Sequence, residues 1–375
     1  MLRNKSVKFT TVFLMGLLLS FLMSGNIFAQ ITQLGFQDAL DEALDSSTRG
    51  VSATIIKGNS VWNTAANRFS THAVSTNMHF GIASMTKTYV AALIFKLVEQ
   101  GELTLDTTMD TLLYTGPNQL LESDFQSKVP SNITVRDLLD HTSGIADFLT
   151  ISYTLAVIID NSRVWSPYQS LQYMDSPDGY GDFNYTNSSY IILGMIVEHI
   201  TGMNIVAAVN NYLLDPLNLN NTFMRGLETI PEPKAVGYEK NLLGFFYKTS
   251  TLIGDGTASY TSTYTCGNMV STAENTANWA KVYYELQNGI FDLDNMEWNA
   301  MKSADGFTVD YGVAIERFSR NGVVLWGHTG SIVGFNGVFV YWPERDISIA
   351  ILTNTHSANR TKILAAIMDY IEASF

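Results

Sequence analysis

The chain predicts an α+β protein of more than one lobe: an antiparallel β-sheet covered by helices on both faces, with a mostly helical lobe inserted. Two observations carry this expectation. Strand patterns sit at both ends of the chain, and helical spacing fills the middle. A site between the lobes follows, because clefts form where lobes meet.

The N-terminus comes first. Arg3, Lys5 and Lys8 precede an apolar run from Val12 to Met23, and Ile27-Phe28-Ala29 offers a small residue for cleavage. That order is a secretory signal peptide over 1–29, and the run is short for a membrane span. An uncleaved N-terminal anchor is the alternative. A lipid anchor would need a cysteine at the cleavage site, and the one cysteine is Cys266. The mature chain, 30–375, is expected to be secreted or periplasmic with no stable membrane span. It divides into an α/β lobe of about 30–100 and 290–375 and a helical lobe of about 101–289.

Val51 to Lys57, Gly58-Asn59 and Ser60 to Trp62 read as strand, turn and returning strand. Tyr89, Leu93, Ile94, Leu97 and Val98 have helical spacing, and Gly101 ends that helix. Further helices are expected around Asp137-Leu138-Leu139, from Tyr190 to Ile200 and from Ala277 to Leu286. Gly312 to Phe318 and Val323 to Trp326 flank Asn321-Gly322, a strong hairpin signal. A second hairpin runs from Gly337 to Trp342, turns at Pro343-Glu344-Arg345-Asp346 and returns through Ile347 to Thr353. Between Lys362 and Ile371 a helix gathers Ile363, Leu364, Ile367, Met368 and Ile371 on one face, which is expected to cover the sheet.

Composition narrows the function. The chain carries a net charge of −13, and the leader holds three cations and no acid, so the mature chain is near −16. Such acidity repels nucleic acid, so no nucleic-acid partner is expected. One cysteine cannot form an internal disulfide, and Cys266 reads as a buried small hydrophobe. His72, His79, His141, His199, His328 and His356 are scattered without a His-Glu-x-x-His, so metal catalysis is not expected and no cofactor is implied. An α/β-hydrolase would need Gly-x-Ser-x-Gly, which no serine has.

Three short signals carry chemistry. Ser84-Met85-Thr86-Lys87 begins the Tyr89 helix, and residues three apart on a helix share a face, so the Lys87 amine can reach the Ser84 hydroxyl. A serine becomes nucleophilic when a base takes its proton, and a helix N-terminus favours the developing negative charge. Tyr185-Thr186-Asn187 lies in a loop before the Tyr190 helix. Opposite Ser84, Tyr185 can share a proton with Lys87, and Asn187 can hydrogen-bond a substrate amide. His328-Thr329-Gly330-Ser331 reads as an edge strand whose glycine lets a ligand approach the backbone. Thr329 can bind a substrate carboxylate or amide, and the Ser331 and Ser84 amides can form an oxyanion hole. Each signal alone has a bland reading: a capping serine with an exposed lysine, a capping asparagine, a structural histidine.

In this order, Ser-x-x-Lys, Tyr-x-Asn and Lys/His-Thr-Gly, the chain resembles the serine β-lactamase and penicillin-binding protein-like superfamily, in its class C β-lactamase and D-alanyl-D-alanine carboxypeptidase group. Phe80-Gly81-Ile82-Ala83-Ser84, Gly101-Glu102-Leu103-Thr104-Leu105-Asp106, Leu138-Leu139-Asp140-His141-Thr142-Ser143-Gly144 and Gly267-Asn268-Met269-Val270-Ser271-Thr272-Ala273-Glu274 also look like that family. The resemblance covers about Asp38 to Thr355 and implies a β-lactamase/transpeptidase-like fold. It implies Ser84 as the acylated nucleophile and Lys87 with Tyr185 as the proton-transfer pair. Asn187 would position the substrate, and His328, Thr329, Gly330 and Ser331 would form the opposite, substrate-binding wall. His141 matches a position read as structural, holding a turn.

Class C β-lactamases carry lysine where this chain has His328, and a mostly neutral histidine pulls less on a carboxylate. The resemblance therefore implies a D-alanyl-D-alanine carboxypeptidase-like peptidase ahead of an efficient β-lactamase. The alternatives are an esterase, D-aminopeptidase or β-lactamase on the same scaffold, or a non-catalytic penicillin-binding-like protein. Non-catalytic relatives lose the serine, lysine or tyrosine, and this chain keeps all three. The partner implied is a small molecule or peptide: a peptidoglycan stem peptide, an ester or a β-lactam.

Overall fold

Strands from both chain ends meet in one eight-stranded antiparallel sheet. The structure is a computed structural model that describes residues 30–114, 123–253, 256–301 and 303–375, so the expected signal peptide lies outside the described residues. The strands are β1 (Gly50–Lys57), β2 (Ser60–Asn67), β3 (Asn299–Ala300), β4 (Thr308–Tyr311), β5 (Glu316–Arg320), β6 (Val323–Ile332), β7 (Phe335–Trp342) and β8 (Ile347–Thr353). Their order across the sheet is β2-β1-β8-β7-β6-β5-β4-β3, so the first two strands pair beside the last, with Val51 opposite Thr353. The hairpin at Asn321-Gly322 forms as its sequence demands. Asn321 (φ 51°) and Gly322 (φ 84°) both take the left-handed region that a tight two-residue turn requires.

The eight helices used below are α1 (Gln33–Ala43), α2 (Thr86–Glu99), α3 (Val135–Leu139), α4 (Ile151–Ile159), α5 (Asn187–Thr201), α6 (Thr257–Gly267), α7 (Ala273–Ile290) and α8 (Arg360–Ala373). Helices α1 and α8 bury one face of the sheet, where Phe36, Leu40, Ile363, Leu364, Ile367, Met368 and Ile371 pack on Val51, Ile55, Val338 and Ile349. Helix α7 covers the other face, and its Trp279 stacks on Tyr89 of α2 at 4.1 Å and 11°. Helix α2 is buried on all sides, from Thr86 to Phe95. Among the described residues no single helix is long and apolar enough to cross a membrane.

Two local expectations need correction. Gly312 to Ile315 is a turn between β4 and β5: the Gly312 amide donates to the Ile315 carbonyl at 2.9 Å, and Ala314 has φ 61°. Val313 and Ile315 mimic strand alternation because both pack into the core from that turn. The second concerns the strand that bears His328. It is no edge strand, since β6 lies between β7 and β5. However, β5 pairs only with Val323 to Gly327, so the segment from His328 to Ile332 overhangs it with one side unpaired by β5.

That overhang lies directly on the turn before Ser84. A Cβ at Gly330 would stand 2.1 Å from the Ile82 carbonyl oxygen, so only glycine lets the strand and the turn touch. Gly330→Ala is expected to lower stability by about 1–3 kcal/mol through overpacking. Urea unfolding of the purified variant checks this, and an unchanged midpoint would remove the close approach from the account.

Candidate active site

Ser84 sits in a single 3-10 turn, Ala83–Met85, that runs straight into α2. Ala83 holds φ 51°, a left-handed conformation that costs a residue with a Cβ roughly 1–2 kcal/mol. The strained residue aims the hydroxyl next to it. The turn is held by a small sheet in which Phe80–Gly81 and Thr222–Met224 both pair with Met269–Ser271.

Lys87 is fully buried, and its amine is surrounded by three acceptors. They are Ser84 Oγ at 3.1 Å, Asn187 Oδ1 at 2.7 Å and the Cys266 carbonyl at 2.8 Å. Acceptors from three separate parts of the chain therefore converge on one amine. The Cys266 carbonyl points inward because α6 is broken at Tyr264, whose φ of 39° is not helical. Cys266 itself is buried as expected, and burial pushes its thiol up to about 12. Its backbone matters more than its sulfur.

Asn187 is the first residue of α5, and Tyr185 precedes it. The Asn187 side chain donates to Asp147 Oδ2 at 2.8 Å and its backbone amide to the same oxygen at 3.3 Å. Asp147 thereby fixes the amide orientation that offers Oδ1 to Lys87, and one side-chain N–H is left over for a substrate carbonyl. Tyr185 is half-buried, and its ring centroid lies 5.0 Å from the Lys87 amine. Burial raises its phenol above the ordinary value, while Lys87 and the Ser84 hydroxyl act in the opposite sense. Ser84, Tyr185, Asn187 and Ser331 line one cavity of about 450 Å³.

His328 is fully buried and stands behind this cavity, with both nitrogens engaged inside the protein. The Thr186 backbone amide donates to His141 Nδ1 at 3.2 Å, so His141 carries its proton on Nε2 and donates to Tyr311 Oη at 3.2 Å. Tyr311 in turn donates to His328 Nε2 at 3.3 Å, and His328 Nδ1 faces the Thr329 carbonyl at 2.6 Å. Both imidazoles are neutral in this chain, and burial lowers both, His141 the more strongly. His141 does sit in a turn, at φ 63°, but it also ties the Tyr185 loop to the His328 strand.

Thr329 is half-buried at the overhang. Its hydroxyl donates to Glu316 Oε1 at 2.8 Å and its amide to Glu316 Oε2 at 3.1 Å. With its proton engaged there, the Thr329 oxygen presents lone pairs and suits a substrate N–H. The structure thus brings Ser84, Tyr185, Asn187 and Ser331 together around the cavity, with Lys87 buried beside Ser84, Thr329 two residues before Ser331 on β6 and His328 behind it. Gly330 packs against the turn that carries Ser84. Sequence reasoning missed Asp147, Glu316, Tyr311 and the Cys266 carbonyl. No motif marks them; they are found by asking what satisfies the buried polar atoms.

Comparison with known proteins gives a family and many similar chains, three of which follow. The family model described as Beta-lactamase matches residues 36–370. Protein flp of Staphylococcus aureus (strain N315) is 24% identical over 292 residues, 77% of this chain and 55% of that protein. The chain therefore spans just over half the length of these curated relatives. A D-stereospecific amidohydrolase from Streptomyces sp. has a TM-score of 0.70 at 24% identity, covering 92% of this chain and 99% of that one. A D-amino acid amidase from Ochrobactrum anthropi SV3, complexed with L-phenylalanine amide, has a TM-score of 0.74 at 19% identity, covering 91% and 98%.

Two outcomes are expected. Tyr311→Phe removes one hydroxyl and strands His141 Nε2–H and the His328 Nε2 acceptor in the interior, at about 1–3 kcal/mol for each unsatisfied group. Turnover should fall about tenfold or more with the protein still folded, and chemical unfolding with steady-state kinetics reads both changes. The second concerns pH. His141 and His328 are held below their ordinary value of 6.5, so the unfolded chain gains protons below that pH that the folded chain refuses. Their contribution is complete above about pH 6.5 and is lost as pH falls. Two groups act with the opposite sign: Asp140, pushed up to about 6 by burial, and His356, raised by Glu239. In His328→Asn the loss of stability between about pH 7.5 and about pH 5.5 should be smaller than in the parent by about 1 kcal/mol. Equal losses in the two proteins would show that His328 does not titrate this way.

Proposed function

The chain belongs to the Beta-lactamase family, and from that premise we propose that it is a serine hydrolase working through an acyl-enzyme on Ser84, of the D-alanyl-D-alanine carboxypeptidase type, acting outside the cytoplasm. The observation that carries the reading is the Lys87 amine, buried and 3.1 Å from Ser84 Oγ, with the Tyr185 ring 5.0 Å from the same amine and lining the same cavity as Ser84.

In the first half-reaction Ser84 Oγ attacks the scissile carbonyl. Its proton passes to the Lys87–Tyr185 pair, and the same pair returns a proton to the departing amine. Negative charge on the carbonyl oxygen would be met by the Ser84 and Ser331 amides. Asn187, oriented by Asp147, holds the acyl part of the substrate. Water then takes the place of the amine and releases the acid. The N-terminal secretory pattern and the peptidase chemistry together favour peptidoglycan stem peptides as substrates.

A second reading, a D-amino-acid amidase or aminopeptidase, is favoured by Thr329. Its hydroxyl proton is engaged by Glu316 and its neighbour His328 is neutral, a pairing that suits a substrate ammonium better than a carboxylate. Of the two similar solved structures, one is named a D-stereospecific amidohydrolase and the other a D-amino acid amidase, names that fit either reading.

The test is intact mass after incubation with benzylpenicillin, with Ser84→Ala as control, followed by D-alanine release from an N-acylated D-alanyl-D-alanine peptide. A persistent, Ser84-dependent adduct together with D-alanine release is the expected result. Release of ammonia from D-amino acid amides, with the peptide untouched, would replace the first reading by the second. Neither adduct nor turnover would overturn both.

A further inference from the structure

The cavity beside Ser84 has a chemical character that the catalytic groups do not explain. Leu149, Tyr153, Val157 and Ile158 form one side, and Ile332 and Val333 approach from the turn after β6. Away from Ser84, Tyr185, Asn187, Ser259, Ser331 and His356, the polar side-chain atoms of the lining are satisfied within the protein. Tyr153 Oη is 2.6 Å from Ser262 Oγ, Thr154 Oγ1 donates to the Thr150 carbonyl at 3.0 Å, and Thr263 Oγ1 donates to the Ser259 carbonyl at 3.0 Å. The Cys266 carbonyl is taken by Lys87. What remains facing the space on this side is methyl and ring surface. The volume, about 450 Å³, is roughly fifteen times what a water molecule occupies in the liquid, far more than an alanine methyl fills.

The position of the cavity says which part of a substrate it takes. Tyr185 lines the border of the cavity and delivers the proton to the leaving group, and its ring leans away from α4 on His141 and Tyr311, towards the flank where His328 and Thr329 lie. His328 and Thr329 do not line the cavity, and α4 does. The leaving group therefore departs on the Thr329 flank, and the cavity lies on the acyl flank.

We propose that this cavity is an acyl-side specificity pocket that selects substrates carrying an aromatic or medium-length aliphatic group next to the scissile carbonyl. This rests on the acyl-enzyme reading of Ser84. Such a group stays in the pocket while the acyl carbon forms its bond to Ser84 Oγ and the leaving group departs with its electron pair. Water then attacks the same carbonyl and restores the serine.

The experiment is a series of p-nitrophenyl acetate, butyrate, hexanoate and phenylacetate with the full mature chain. Each added methylene should raise kcat/KM roughly fourfold until the pocket is filled. Ile158→Asp should flatten the series and leave acetate within about twofold of the parent. Ile158→Trp, which keeps the wall apolar but fills the space, should lower hexanoate and phenylacetate selectively. A flat series in the parent, or a slope unchanged in both variants, would overturn the pocket. Calorimetric binding of N-phenylacetyl-D-alanine to Ser84→Ala separates this from the chemistry. Binding lost on adding Ile158→Asp supports the pocket even where no ester is turned over, an outcome that would sink only the acyl-enzyme reading. Absence of binding to Ser84→Ala, or binding insensitive to position 158, counts against the pocket.

Discussion

A lysine amine with no solvent must be fully hydrogen-bonded or its burial costs several kcal/mol. Lys87 meets that condition through three acceptors from three separate parts of the chain: its own turn, the start of α5 and the end of α6. Much of the local backbone follows from this. Helix α6 breaks at Tyr264, and a carbonyl that a regular helix would keep for itself is turned towards the amine. Ala83 takes a left-handed conformation immediately before Ser84. Two positive-φ residues with side chains, both within two residues of groups that touch Lys87, fit strain held in place at a functional site.

The other half of the site hangs on neutral groups. Thr186, His141, Tyr311 and His328 form a chain of donors and acceptors with one direction, set by the single backbone N–H at its start. Because burial disfavours the charged imidazoles, the direction does not reverse at neutral pH. This chain joins the loop that carries Tyr185 to the strand that carries Thr329. Groups brought together from separate elements need such a brace, since reactive geometry tolerates little slack. Glu316 extends the brace by holding the hydroxyl and the amide of Thr329 together.

The fold was legible where periodicity and turn chemistry act locally. The Asn321-Gly322 hairpin, the strands at both chain ends and the Ile363 to Ile371 face needed only neighbouring residues to be read. Gly312 to Ile315 was misread because two apolar residues two apart look like a strand, and nothing nearby announces that Ala314 will turn the chain. The residue types that face Ser84 were legible through order and spacing. Their supports were not. Asp147 and Glu316 are ordinary acids in sequence, and only tertiary contact shows one bonded to Asn187 and the other to Thr329. His328 was expected to meet substrate and lies behind the wall, because β6 sends alternate side chains to opposite faces and this one faces the core.

Chemistry and selectivity are carried by different parts of the molecule, and their constraints differ in kind. Lys87, Asn187 and Asp147 depend on one another, so losing any one leaves a buried polar atom without a partner, and such groups change together or not at all. Helix α4 makes no such demand. It is anchored mainly through Tyr153, which packs on Phe148 at 4.8 Å and on Trp165 at 5.7 Å and whose hydroxyl meets Ser262. The neighbouring Ile158 contributes shape and apolar surface alone. A side chain of that sort can change size at the cost of ordinary packing energy, without disturbing the proton path some residues away. Under the proposed reading, the same serine, lysine and tyrosine serve different substrates when a short helix is altered, and selection of the acyl group falls to α4 rather than to the three motifs.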